Sequence, residues 1–154
     1  MLIAMKTKGR RGATAVELAA VIVVFTMIMF GILEYCLIVY SQNIVENAAR
    51  EGARYAVVNT TTDTTAGVQA YVNNYLAGQG ASQFVGYSPS SNITVYMADP
   101  VTGLNTGSSW LNTGWGNSIG VSVTGTYQPV VPGMYFLTGS LTVTGTCVMT
   151  IEAN

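Results

Sequence analysis

An almost uncharged apolar run near the N-terminus constrains this chain more than any other feature. Of the 28 residues from Ala13 to Tyr40, only Glu17 and Glu34 are charged. A helix of about 20 apolar residues crosses the hydrocarbon core of a bilayer, so this run is long enough to span a membrane. It is also longer than the apolar region of a conventional cleaved secretory signal. The sequence therefore predicts a membrane helix that the protein retains.

The basic residues are confined to the N-terminal third of the chain. All six lysines and arginines precede Tyr55, and four of them lie before the apolar run. The positive-inside bias places that end in the cytoplasm and sends the rest of the chain outward. A nucleic-acid surface needs clustered Lys and Arg to neutralise phosphates, and none follows Arg54. We therefore expect no nucleic-acid partner.

The helix should continue beyond the membrane segment. Residues 41–56 contain no proline and are rich in helix formers, while Glu46 with Arg50 and Glu51 with Arg54 are spaced for pairing on a helix surface. Residues 59–65, dominated by Thr with Asn and Asp, favour a turn. The sequence thus divides into a leader (1–12), a long N-terminal helix (13–58) and an extracytoplasmic headgroup (59–154).

The headgroup pattern predicts an α+β fold. Apolar residues recur at helical spacing from Val68 to Leu76, which indicates a short helix. Three later segments alternate apolar residues with Thr, Ser or Gly, as antiparallel strands with one buried face do. They are Ile93–Met97, Ile119–Tyr127 and Leu141–Met149. We expect a three- to four-stranded antiparallel sheet, with a packed connection over Gln128–Gly139.

The inventory of reactive side chains argues against catalysis. The chain has no histidine, and the region after Arg54 has only three carboxylates, which lie far apart in sequence. No acid/base pair, metal-ligand cluster or phosphate-binding Gly-Lys motif can be assembled from these residues. The sequence predicts a protein that is not an enzyme and has no metal or cofactor.

Three segments carry a resemblance to a known family. The run Gly12-Ala13-Thr14-Ala15-Val16-Glu17-Leu18, after Arg10-Arg11, resembles a prepilin peptidase site, in which the enzyme cuts after Gly and Glu is the fifth mature residue. The run Glu46–Arg54 and the strand, proline-containing link and strand from Val121 to Met149 are similar to the TadE-like family of the tight-adherence (Tad) pilus system. That family often has a proline early in the apolar segment. This chain has none there, so we expect an unbroken helix.

The resemblance implies a function in filament assembly. Prepilin peptidase would cut between Gly12 and Ala13, and the subunit would move from the inner membrane into an extracellular type IV (Tad-like) filament for surface attachment. Its partners would be itself, other pilins, the peptidase and the pilus assembly machinery. The alternative is a membrane-anchored protein that never polymerises, such as an assembly factor or a cell-surface binding module.

Several charged residues are candidates for assembly contacts. Glu17 could pair with the freed amino group of Ala13 in a neighbouring subunit, or simply be solvated near the cytoplasmic lipid headgroups. Glu34 has no basic neighbour at helical spacing, so it lies either at the outer membrane interface, which nearby tyrosines favour, or in a contact between subunits. Arg50 and Arg54 could pair within the helix or with neighbouring subunits.

Two tryptophans on a glycine-rich loop are candidates for a surface contact. Trp110 and Trp115 could form a carbohydrate-stacking platform, but packing against the headgroup or contact with a neighbouring subunit is the favoured interpretation.

Overall fold

The chain folds as one long helix with an α+β headgroup on its C-terminal half. The computed structural model describes residues 10–130 and 139–152. Helix α1 runs unbroken over Arg10–Val58, 49 residues or about 74 Å at the standard rise. Asn59 closes it, because its side-chain amide donates to the Tyr55 carbonyl at 2.9 Å. The long helix, its lack of a break and its end at residue 58 confirm the sequence prediction.

The headgroup places a short helix and a sheet against α1. Helix α2 (Thr65–Gly78) begins at Thr64, whose hydroxyl accepts a hydrogen bond from the Gly67 amide at 3.3 Å. Helix α2 buries Val68, Val72 and Leu76. Tyr71 and Tyr75, which share the same helical spacing, are half-buried. A 3₁₀ turn (Ala81–Gln83) leads from α2 into the sheet, and a single helical turn, α3 (Pro89–Asn92), lies between the first two strands.

The sheet is antiparallel and has β3 at its centre. Strands β1 (Val85–Gly86) and β2 (Ile93–Ala98) share one side of β3 (Ser118–Tyr127), and β4 (Leu141–Thr150) pairs with its other side. The α+β fold with a four-stranded sheet is thereby confirmed. The two-residue β1 and the turn α3 were not predicted, because so few residues show no periodicity. Residues 131–138 of the predicted packed connection lie outside the described part.

Helix α1 packs on the sheet through a face of small residues. Ala48, Ala49, Gly52, Ala53 and Ala56 are all buried on this face. A Cβ added at Gly52 would lie 2.6 Å from Val72 Cγ2 and 3.1 Å from Val121 Cγ1. Small side chains therefore let the sheet and α2 approach the helix closely, and the core lies between them.

Candidate functional site

The headgroup, over the residues that the structure describes, leaves the first part of α1 largely uncovered. Residues 12–33, which we call the exposed half of α1, are all exposed apart from the half-buried Thr26 and Gly31. Thirteen large apolar side chains lie between Val16 and Leu33 with exposures of 39–71%. Covering half of each would contribute on the order of 10–20 kcal/mol in total. That is as much as the whole stability of a typical domain, so this surface must be covered by something other than water.

The exposed half also contains the predicted processing site. Gly12 and Ala13 lie within helix α1, three residues or fewer from its first residue, and Glu17 lies one turn later with its side chain exposed. Nothing in the described chain approaches within 4 Å of a Cβ placed at Gly12. The described part of the headgroup therefore leaves the bond between Gly12 and Ala13 uncovered.

Glu34 marks the place where the headgroup first contacts α1. It is 4% exposed, and its Oε1 accepts hydrogen bonds from the Tyr127 hydroxyl at 2.7 Å and the Val130 amide at 3.1 Å. Burial, together with the adjacent Glu34 carboxylate, raises the pKa of Tyr127 above its usual value. We call this arrangement the Glu34 junction.

The Glu34 junction corrects one of the two placements that the sequence suggested. Another subunit is not needed to bury Glu34, because residues of its own headgroup already do so, and its position at the level of the outer membrane interface stays a prediction. A buried carboxyl group needs hydrogen-bond donors, and Tyr127 and Val130 supply them. Helical spacing could not reveal these donors, since Tyr127 is 93 residues away in sequence. A carboxylate with no partner on its own helix was the one available signal.

Arg50 and Arg54 each pair with a glutamate of helix α1. Arg50 Nη2 lies 3.8 Å from Glu46 Oε2, and Arg54 Nη2 lies 3.2 Å from Glu51 Oε2. Both guanidinium groups are well exposed, so each pair contributes little to stability. The predicted pairs are therefore present, and a contact of Arg50 or Arg54 with another subunit stays a prediction.

The two loop tryptophans occupy different environments. Trp110 is 3% exposed and its Nε1 donates to Thr65 Oγ1 at 2.9 Å, so it belongs to the core. The prediction of Trp110 as a surface contact is therefore wrong. Its ring packs into the headgroup at the N-terminal end of α2, as one of the favoured interpretations expected. Trp115 is 75% exposed and donates to the Glu152 carbonyl at 2.6 Å. Trp115 alone of the pair is accessible, which leaves no two-ring platform.

The two cysteines occupy different environments. Cys36 on α1 is exposed. Cys147 is half-buried on β4, and burial raises the pKa of its thiol. Both thiols are free.

The carboxylates of the headgroup serve local turns. Asp63 accepts from the Tyr55 hydroxyl at 2.8 Å and from the Thr64 amide at 2.7 Å. Asp99 accepts from the backbone amides of Thr102 and Val101, and these hydrogen bonds lower the pKa of Asp99. Within residues 10–130 and 139–152, no three His, Cys, Asp or Glu side chains cluster as metal ligands would.

Comparison with known proteins adds one positive finding. Residues 12–54 match the family model of TadE-like proteins. This match confirms the resemblance to TadE-like proteins over the segment that it covers, which is well under half of the 154 residues. No curated protein and no solved structure matches the chain.

The TadE-like segment spans both parts of α1 described above. It begins at the predicted processing site, covers the exposed half and Glu34, and ends at Arg54, within the stretch of α1 that packs on the sheet. Helix α1 is also the one helix of the described chain that is long and apolar enough to cross a membrane. The TadE-like segment is thus a membrane-capable anchor that also forms part of the headgroup core.

Proposed function

We propose that this protein is a pilin or pseudopilin subunit of a Tad-type extracellular filament, processed after Gly12 and assembled through the exposed half of α1. The observation that carries the proposal is the long apolar surface that the headgroup leaves uncovered. Lipid covers this surface before assembly. In the filament, the same surface of neighbouring subunits covers it, since helix packing buries as much apolar area as lipid does.

Glu17 sets the axial position of each subunit in this scheme. A carboxylate inside an apolar bundle is costly unless it is paired. Cleavage after Gly12 creates an α-amino group on Ala13, and that group in a neighbouring subunit is the partner of Glu17. The uncharged hydroxyl-rich outer face of the sheet then faces outward or toward neighbouring headgroups. Thr142, Thr144 and Thr146 of β4 are all exposed there.

The protein acts by assembly and not by catalysis. The chain has no histidine, and its headgroup carboxylates Asp63 and Asp99 are engaged in turns. Surface attachment is then a property of the filament. The tip of the headgroup, where Trp115 is exposed, is the part available for contact.

The test combines processing with assembly. Mass spectrometry of the protein from its native cells should give an N-terminus at Ala13, and a Gly12→Val variant should keep its leader. Glu17→Ala should be processed but absent from filaments sheared from the cells. Glu51→Gln is the matched control, because it removes a carboxylate from the same helix outside the exposed half, and it should assemble normally.

Three outcomes would overturn the proposal. An intact leader on the native protein would exclude processing after Gly12. Normal assembly of Glu17→Ala would exclude the pairing of Glu17 with a freed amine. A processed protein that stays entirely in the membrane fraction would identify the non-polymerising anchored protein instead.

A further inference from the structure

A set of apolar and tyrosine side chains surrounds α1 at the end of the headgroup nearest its exposed half. Tyr40 packs edge-on against Phe84, with ring centroids 6.3 Å apart. Leu141 pairs across the sheet with Tyr127 of the Glu34 junction. We call Tyr35, Tyr40, Phe84, Val130 and Leu141 the rim.

Contacts along α1 fix which end of the headgroup the rim occupies. Near the start of β4, the Thr144 carbonyl accepts a hydrogen bond from Gln42 at 2.9 Å. Near the end of β4, Met149 lines a cleft with Val57 at the C-terminus of α1. Strand β4 therefore runs in the same direction as α1, and its first residue, Leu141, lies toward the exposed half.

The rim continues the apolar surface of α1 onto the headgroup. Val130 lines a cleft together with Phe30 and Leu33 of the exposed half. Tyr35, Tyr40, Val130 and Leu141 are 67%, 44%, 59% and 41% exposed. Glu34 lies beside Tyr35 of the rim, but its carboxyl group is buried and hydrogen-bonded. The described rim therefore exposes no charged side chain. Tyrosines beside apolar side chains are typical of a membrane–water interface.

The length of the helix places this rim at a bilayer surface. The 21 residues from Ala13 to Leu33 extend about 31 Å, and the hydrocarbon core of a bilayer is about 30 Å thick. A bilayer that covers the exposed half therefore ends at Glu34. Its polar boundary then meets the rim without any further assumption about the headgroup.

We propose that, before assembly, the headgroup rests on the bilayer that α1 spans, with the rim in the lipid headgroup region. This rests on the proposed function only in requiring that α1 spans a membrane. The Glu34 junction holds the rim to the helix, so the headgroup has a fixed height above the bilayer.

Spin labels on the full-length protein in phosphatidylethanolamine–phosphatidylglycerol nanodiscs test this contact. The two native thiols are first removed by Cys36→Ala and Cys147→Ala. A nitroxide is then attached at Leu141→Cys or, as a second rim position, at Val130→Cys. The matched control is Val148→Cys, which lies on the same strand and is 36% exposed against 41% for Leu141. Ile28→Cys reports the membrane span.

Collisional relaxation by oxygen, which concentrates in lipid, is compared with relaxation by a water-soluble nickel chelate. We expect an oxygen-to-nickel ratio that is severalfold higher at both rim positions than at residue 148, and highest at residue 28. Water-like ratios at both rim positions with a lipid-like residue 28 would overturn the docking but leave the span intact. A water-like residue 28 would overturn the span and, with it, the docking. Dipolar broadening between labels at residue 141 would show that a second copy covers the rim, which also overturns the proposal.

Discussion

Breaking the Glu34 junction should destabilise the headgroup through the loss of two hydrogen bonds, of which the bond to Tyr127 is buried and the bond to Val130 is partly buried. Glu34→Ala leaves the Tyr127 hydroxyl and the Val130 amide without their acceptor. A buried unsatisfied polar group costs about 1–3 kcal/mol, so we expect a loss of about 2–5 kcal/mol in the free energy of unfolding. Tyr127→Phe keeps the ring and removes one donor, and should cost about 1.5–3 kcal/mol.

A double-mutant cycle isolates the bond between the two side chains. Because Glu34 and Tyr127 lie 2.7 Å apart, the double variant should lose less stability than the two single variants together, by about 1.5–3 kcal/mol. Urea unfolding of the full chain in a mild detergent, followed by the emission of the buried Trp110, measures each free energy. Glu34→Gln is the control, since its amide oxygen still accepts both hydrogen bonds. Single effects that add to within about 0.5 kcal/mol would refute the direct contact.

Three further predictions use the same urea unfolding, followed by far-UV circular dichroism where Trp110 is replaced. Burial and the neighbouring Glu34 raise the pKa of Tyr127 above the ordinary tyrosine pKa of 10.0. The folded state therefore favours the neutral phenol, and this stabilisation is complete below about pH 10 and is lost as the pH rises further. Stability should therefore fall above about pH 10 by up to about 1.4 kcal/mol per pH unit for this group, and Tyr127→Phe should make that fall shallower. Gly145→Ala should destabilise the protein by about 1–3 kcal/mol, because the new Cβ would lie 2.6 Å from the Val45 carbonyl oxygen. The control Gly78→Ala places a Cβ with no atom within 4 Å and should be neutral or slightly stabilising. Equal losses of stability in the two variants would contradict the close approach of Gly145 to α1. Trp110→Ala removes a core side chain and should lower the free energy of unfolding by about 3–5 kcal/mol. Trp115→Ala removes an exposed side chain and should lower it by about 0.5 kcal/mol or less. The reverse order would contradict the two environments.

The periodic parts of the fold could be predicted from the sequence because their signals are local. The three long strands alternate apolar and hydroxyl side chains over their whole length, and each was predicted to within a residue or so of its observed ends. Helix α2 likewise shows its buried face at helical spacing. Strand β1 could not be predicted, because the two residues Val85 and Gly86 form a strand only through pairing with Tyr127 and Thr126.

The environments of single residues were harder to predict because they depend on tertiary contacts. Glu34 was recognised as an unusual residue, yet its partners come from the end of β3 and the residue Val130. Trp110 and Trp115 lie on the same glycine-rich loop and are alike in sequence context. One is buried and the other exposed, because Thr65 at the start of α2 receives only the first ring.

The residue types along α1 explain why one helix can serve both as an anchor and as a core element. Before Glu34, large apolar side chains project in all directions, as suits a surface that meets lipid first and other helices later. After Glu34, alanines and Gly52 form one face, because the sheet approaches so closely that Gly145 of β4 lies against the backbone of Val45 and Glu46. Exchanging the two kinds of residue would fail in both places. Large side chains would push the sheet away from α1, and alanines would leave too little apolar surface to hold the helix in a membrane or a bundle. Glu34 lies at this change of residue type, where its two hydrogen bonds hold the headgroup at a defined position on the helix.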